Sequence, residues 1–357
     1  MGKIKKKRSL KWRIFCALVI FLLVFSVISL VVCKVILNRT FDRGSWETEF
    51  TTRLSYADIS SEYERVPMSF HSGENRLQAY LYGQDGDKGL MVLSHGIGGC
   101  HEGYLSEIMW FVDHGWQVFA FDNTGSHESE GEGTRGLVQS ALDLDAALTF
   151  IESDPTLCAK QKVLFGHSWG GYAVASVLSF GHDVAAVASV SGYSEPVGMM
   201  LTYADPMLGG FRYTQYPYLW LHNKLLFGKY SDLSAKDSID AVTTPVLLIH
   251  GTKDDIVPLE SAGIAGYRDE ITNPNVVYLY MDEEGRNGHT DLFRSREAIT
   301  YLEEVKAEWD LLSERYHGEI PEDVKKAFFA GIDRFLVNEV DEEFCLTVET
   351  FFLDAIG

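Results

Sequence analysis

From residue 90 onward the chain alternates short apolar runs with amphipathic stretches, and this limits the folds open to it more than any other feature. The runs at 90–93, 117–121, 162–165, 184–190, 245–249 and 276–280 read as strands, and the continuous ones as strands buried on both faces. Between them, 104–114 is amphipathic and stops at Gly115, 137–151 puts Leu142, Ala146 and Phe150 on one side, and 172–180 is helical. A further helix is expected from about Leu259. Such alternation implies an α/β architecture: a mainly parallel sheet with helices on both faces. Ligands of such sheets bind beyond the carboxyl ends of the strands, so chemistry is sought just past each run.

Two stretches depart from the alternation. Residues 66–70 and 77–81 alternate polar and apolar around Ser72-Gly73-Glu74-Asn75, a hairpin signal. Residues 193–240 interrupt the pattern and carry Tyr203, Phe211, Tyr213, Tyr216, Tyr218, Trp220 and Phe227 among scattered Gly and Pro. They read as an inserted cap over the strand ends. From Leu292 the chain reads as three helices, to about residue 316, from Pro321 to 337, and from 342 to 353.

The first 64 residues are of another kind. From Ile14 to Val32 every residue is apolar except Cys16, Ser26 and Ser29, long enough for a helix to cross about 30 Å of hydrocarbon. No A-x-A-like site follows Leu30, as a cleaved signal peptide would want, and Val32 is not the small residue expected before a lipoprotein cysteine. The reading is a basic cytoplasmic segment at 1–13, a transmembrane anchor at 14–37, a polar stalk at 38–64 and one domain at 65–357. The Lys5-Lys6-Lys7-Arg8 cluster keeps the N-terminus cytoplasmic and puts the domain on the extracytoplasmic side of a single-pass protein. No acid precedes residue 40, so the body is more acidic than the net charge of −20 for the whole chain. That argues against nucleic acid as a partner and suits a solvated surface. Cys100, Cys158 and Cys345 make an odd number in the body, so at least one is free or intermolecular.

The strongest local motif is Gly166-His167-Ser168-Trp169-Gly170, a G-x-S-x-G between an expected strand and an expected helix. There Ser168 takes a strained turn that holds its hydroxyl off the strand end, and the two glycines make room for it. A serine hydroxyl needs a base, and His289, in the loop Gly285-Arg286-Asn287-Gly288-His289-Thr290-Asp291 after the last strand, is best placed. His167 diverges from its neighbour at such a turn and reads as packing. His250 reads as a structural residue that holds its own turn. The acid belongs to the strand end before the histidine, where spacing leaves both Asp254 and Asp255 open. For the oxyanion, Trp169 offers one amide and the loop Ser94-His95-Gly96-Ile97-Gly98-Gly99 a second, from Ile97 or alternatively Gly98, with His95 shaping that loop.

Taken together, Ser94-His95-Gly96, Gly166-His167-Ser168-Trp169-Gly170, His250-Gly251-Thr252-Lys253-Asp254 with Val257-Pro258, and Gly288-His289 resemble the α/β-hydrolase superfamily. The likeness is to the branch holding monoglyceride lipases, small esterases and prolyl-oligopeptidase-like acyl-peptidases, and it spans about residues 65–291. It implies an α/β-hydrolase fold and makes Asp254 the acid. One departure stands out: relatives often read D-x-R-G-H-G-x-S where this chain has Asp122-Asn123-Thr124-Gly125-Ser126-His127-Glu128-Ser129. No metal-ligand spacing or phosphate loop is present, so no cofactor is implied. The expectation is a serine hydrolase acting on a small or lipid-like acyl ester. A peptidase with the same residues is the alternative, and a silent binding protein on this fold the third reading.

Overall fold

The computed structural model describes residues 9–44, 46 and 49–357, so the basic cluster at 5–8, most of the segment expected to be cytoplasmic, lies outside the described residues. Helix α1 (Leu10–Thr40) starts where the Ser9 hydroxyl accepts from the Trp12 amide, and it runs unbroken through the apolar stretch. At 1.5 Å per residue it is about 46 Å long, enough to cross a bilayer. Its apolar side chains are exposed along most of that length, but Cys33 and Leu37, with Phe41 just beyond, are buried in the core of the body. The stretch expected to be a stalk also lies against the body. Its one-turn helix α2 (Tyr56–Ile59) and Leu54 bury Ile59 and Leu54 beside Tyr82 and Tyr104.

The body is an eight-stranded sheet. The strands are β1 (Arg65–Ser72), β2 (Asn75–Tyr82), β3 (Leu90–Ser94), β4 (Gln117–Phe121), β5 (Lys162–His167), β6 (Ala186–Val190), β7 (Val246–Gly251) and β8 (Val276–Met281). Their order is β1-β2-β4-β3-β5-β6-β7-β8; β1 and β2 pair antiparallel, as do β2 and β4, and all other pairings are parallel. This is the α/β-hydrolase arrangement. Side-chain alternation divides each buried run between two cores. Leu90, Val92 and Leu164 face one, with α4 (Gln139–Ser153) and α5 (Trp169–Ser176); Met91, Leu93, Val163 and Phe165 face the other, with α3 (Leu105–Asp113).

The insertion after β6 folds as α6 (Pro196–Leu208), a 3-10 turn at Gly209–Gln215, α7 (Tyr216–Phe227) and α8 (Ala235–Asp240). Helix α8 packs against α5, directly behind the G-x-S-x-G turn, and α7 packs against α1. The expected helix from Leu259 does not form; only a 3-10 turn, Ile264–Tyr267, follows β7. The amides of Ser261, Ala262 and Gly263 all converge on the Pro258 carbonyl, and a Cβ at Gly266 would stand 2.2 Å from the Leu259 carbonyl oxygen. The chain folds back on itself too tightly there for a helical register. Helix α9 (Arg296–Arg315) begins four residues later than the pattern suggests, because Ser295 caps it by accepting from the Ala298 amide at 2.9 Å. The stretch after Pro321 breaks into α10 (Glu322–Ala330) and α11 (Arg334–Val337), since Asp333 accepts from the Phe335 and Leu336 amides and starts a new cap. The last helix, α12 (Glu342–Ile356), covers the second core with Phe344, Val348 and Phe352.

Candidate active site

The turn from β5 into α5 is held by backbone contacts that leave no room for side chains. A Cβ at Gly166 would lie 2.2 Å from the Gly170 carbonyl oxygen, and one at Gly170 only 1.9 Å from that of Ser94. Between them Ser168 has φ 57° and ψ −112°, a left-handed conformation costly for a residue with a Cβ. Its amide donates to Val190 O at 2.8 Å and its carbonyl accepts from the Tyr172 amide at 3.0 Å, so both neighbouring elements hold the strain.

His289 Nε2 lies 2.9 Å from Ser168 Oγ, and His289 Nδ1 lies 2.7 Å from Asp254 Oδ2. With a carboxylate at Nδ1, the ring carries its proton there and leaves Nε2 free to accept from the serine. Asp254 is buried, and its other oxygen accepts from the Ile256 and Val257 amides at 3.0 and 2.8 Å. Burial pushes its carboxyl up, but the hydrogen bond from His289, that ring's charge and the Val257 amide together bring it below the ordinary range. Asp255, the alternative, is exposed. His250 Nε2 donates to Val257 O at 2.8 Å and so ties the Asp254 turn to the end of β7. Burial is the main cause that lowers the His250 pKa.

The loop after β3 closes through Gly99 N–H donating to Gly96 O at 3.2 Å, which puts Ile97 and Gly98 (φ 72°) at its apex. His95 donates from Nδ1 to Gly96 O at 2.7 Å, and its Nε2 accepts from the Asn123 amide at 2.9 Å. Trp169 opens α5, so its N–H is among the amides the helix cannot use; its indole is fully buried and donates to Leu137 O at 2.8 Å.

Two features have no counterpart in the motif reading. His167 is more than packing. Its Nδ1 accepts from the Tyr104 hydroxyl at 2.8 Å, that hydroxyl accepts from the Gly96 amide at 3.0 Å, and His167 Nε2 donates to His289 O at 2.8 Å. One chain of hydrogen bonds thereby joins the Ile97 loop to the backbone of His289. Burial, with the neighbouring His289 charge, holds the His167 pKa down at about 3, so the ring is neutral as the bonding requires. Nothing in the local sequence marks Tyr104 for this part. The second feature is Arg43, from the segment after α1. It donates to Ser129 O at 2.8 Å, to Gly131 O at 3.0 Å and to His127 O, bracing the loop where the D-x-R-G-H-G-x-S pattern is lost.

A cleft of about 310 Å³ opens beside the Ile97 loop, lined by Ile97, Gly98, Gly99 and His127 and, from the end of α1, Arg39, Thr40 and Arg43 among others. On the cap side, Tyr203 of α6 is near enough for the Asp254 charge to add to burial in raising its phenol pKa. Cys100, His101 and Asp122 bring three donor atoms within 4.8 Å of one another. However, His101 already bonds Asp122 at 2.8 Å through Nδ1 and meets the Arg65 guanidinium at 3.0 Å through Nε2, so a cation there would face a fixed positive charge.

Residues 103–309 match the prolyl oligopeptidase family of serine peptidases, more than half of the chain, and the chain belongs to that family. YfhR of Escherichia coli (strain K12), described only as an uncharacterized protein, is 26% identical over 219 residues, which are 60% of this chain and 68% of YfhR. Among solved structures, the Pyrococcus furiosus esterase Pf2001 superposes with a TM-score of 0.52 at 18% identity, covering 77% of this chain and 98% of that one. A second crystal form of Pf2001 gives 0.50 at 20% identity, over 73% of this chain and 95% of that one. At these identities the structural likeness speaks to the fold. Family and fold together make the protein a serine hydrolase of the prolyl-oligopeptidase and esterase type.

Proposed function

We propose that the protein is a membrane-anchored esterase in which Ser168, His289 and Asp254 cleave a small or lipid-like acyl ester through an acyl-serine intermediate. The observation that carries this is the continuous line of 2.9 and 2.7 Å contacts from Ser168 Oγ through His289 to Asp254. In the first half-reaction His289 Nε2 takes the Ser168 proton as Oγ bonds to the acyl carbon. The carbonyl oxygen becomes an oxyanion facing the amides of Ile97 and Trp169. As the acyl–oxygen bond breaks, His289 returns the proton to the leaving alcohol. Water then repeats the sequence on the acyl-serine and releases the acid. Asp254, kept ionised, holds the Nδ1 tautomer and stabilises the imidazolium while it exists. Helix α1 is the anchor, with the basic N-terminus cytoplasmic and the hydrolase domain on the other side.

The ester preference rests on the aromatic, weakly charged cap. The family favours the second reading, a peptidase, because the same residues attack amides. Full-length protein, needed because the base of α1 is part of the core, should be assayed on p-nitrophenyl esters of graded chain length and on aminoacyl-p-nitroanilides, beside Ser168→Ala. Ester cleavage that drops by about 10⁴-fold or more in the variant is expected. Selective anilide cleavage would move the assignment to a peptidase, and activity undiminished in the variant would remove Ser168 from the mechanism.

A further inference from the structure

The cap is unusual in what it leaves uncovered. Between Pro196 and Phe227 only Asp205, Arg212 and Lys224 are charged, in a chain that is 23% charged. All three are paired, Arg212 with Asp205 and Lys224 with Asp232. Over the same stretch Met207, Phe211, Tyr213, Tyr216 and Leu225 are exposed, Met207 by 71% and Leu225 by 78%. Exposed apolar surface of this extent, with its few charges neutralised, is a poor match to water.

What lies beside that surface says what covers it. The Phe25 ring of α1 meets Phe211 edge-on at 6.1 Å and Tyr218 at 6.0 Å, and Ser26 Oγ is 2.9 Å from the Tyr218 hydroxyl. On α1, Phe25 is nine residues before Lys34 and twelve before Leu37, which at 1.5 Å per residue is about 13 and 18 Å along the axis. Half of a 30 Å hydrocarbon layer is about 15 Å. The far end of the cap therefore meets the middle of the apolar span. At its near end α1 enters the body through Leu37 and Phe41, and Arg39 and Thr40 line the cleft beside Ile97.

We infer that the α6–α7 end of the cap is sunk among the acyl chains of the leaflet next to the hydrolase domain, so that the cleft beside Ile97 opens at headgroup depth and takes its acyl ester from within the bilayer. This rests on the reading of α1 as the anchor. A cap at that depth brings acyl chains to the cap side of the site, where Tyr203 of α6 lies near Asp254, and the ester group stops where Arg39 and the Ile97 loop meet the interface. Substrates are then amphiphiles resident in the membrane, with the ester near the polar boundary.

The test is photolabelling of full-length protein in vesicles of phosphatidylcholine and phosphatidylglycerol containing a phosphatidylcholine with a diazirine in its acyl chain, with adducts located by peptide mass spectrometry. Adducts are expected on 207–225 as well as on 14–37. Adducts confined to 14–37 would overturn the inference while leaving the anchor intact. Adducts on neither would remove the anchor itself, and adducts confined to 14–37 together with a dimer trapped by bismaleimide cross-linking of a Met207→Cys variant would assign the surface to a second copy of the chain. As a separate check, the double variant Met207→Ser, Leu225→Ser should lose about tenfold in kcat/KM on a long-chain ester embedded in vesicles, and less than about twofold on soluble p-nitrophenyl butyrate. An equal loss on both substrates would also overturn it.

Discussion

The strand-end loops around Ser168 and the cap around Phe211 lie on the same domain but are built on opposite principles. In the loops the catalytic candidates and the histidines beside them are held by hydrogen bonds at fixed distances, glycines sit where backbone touches backbone, and Ser168, Asp254, His95 and His167 are all buried. In the cap, large apolar side chains are exposed and Gly209 and Gly210 have nothing within 4 Å of a notional Cβ. The first region is specified by internal geometry and the second by what surrounds the molecule. Substitutions of the same kind should therefore have different consequences in each.

The largest contrast is within the loops themselves. Asp254 and Asp255 are adjacent carboxylates, one buried against His289 and one exposed. Asp254→Asn should lower kcat by about 10⁴-fold by disturbing the imidazole tautomer and the charge that balances imidazolium, whereas Asp255→Asn should change it by less than about twofold. Steady-state kinetics on the best ester decides it. Comparable losses in the two variants would mean that position, not contact, is what matters there.

A smaller but still large difference is expected for glycine. Gly170→Ala puts a methyl group 1.9 Å from Ser94 O and 2.5 Å from Ser94 C, both backbone, so the Ile97 loop has to move. A destabilisation of roughly 3 kcal/mol or more is expected, against less than about 0.5 kcal/mol for Gly210→Ala in the cap. Thermal denaturation in detergent reads both. If Gly170→Ala melted with the parent, the tight approach of α5 to the end of β3 would not be a requirement of the fold.

How much of this was legible in the sequence divides along the same line. The β5–α5 turn, the strand alternation and the place of His289 all follow from local rules, because a G-x-S-x-G between strand and helix has a steric reason that no distant contact alters. The tie between Asp254 and Asp255 was not resolvable by spacing, since it depends on which carboxylate β7 and His250 turn inward. The bridge Gly96–Tyr104–His167–His289 joins four separate segments and leaves no local trace. The missing helix after Leu259 was a pattern that tertiary packing overrode through Pro258 and Gly266. For 193–240 the composition announced an apolar insertion. Its contact with Phe25, far away in sequence, was not announced.

Acid should strike the loops first. His95, His167 and His250 are all lowered mainly by burial, His167 to about 3, so the folded state keeps them neutral while the unfolded chain protonates them below about 6.5. The unfolded state then binds more protons, and stability falls as pH drops through that window. Glu107 acts in reverse: burial raises it to about 7, so its folded form takes up a proton first and offsets about one of the three. Each histidine that stays neutral in the fold adds at most about 1.4 kcal/mol per pH unit to that fall. The melting temperature should fall clearly between pH 7 and pH 4, with loss of activity preceding loss of the cap's helices. A flat melting profile over that range would show the three histidines to be wetter than their contacts require.

The smallest expected effect tests the bridge that sequence did not reveal. Tyr104→Phe keeps the buried ring but removes the oxygen that accepts from Gly96 N–H and donates to His167 Nδ1. Two buried groups lose their partner, a cost of about 1–2 kcal/mol, and the Ile97 loop and the His289 backbone are no longer tied together. If the bridge positions the oxyanion amides against the histidine, kcat should fall about 5- to 30-fold with KM nearly unchanged, because the lost alignment matters most in the transition state. If the bridge only stabilises the fold, the melting temperature will drop and kcat of the folded fraction will not. The matching change in the cap, Tyr213→Phe, removes an exposed hydroxyl that accepts from Arg212 at 3.0 Å and should alter neither quantity. A loss of kcat in both variants would erase the distinction between a site held by internal contacts and a cap held by its surroundings.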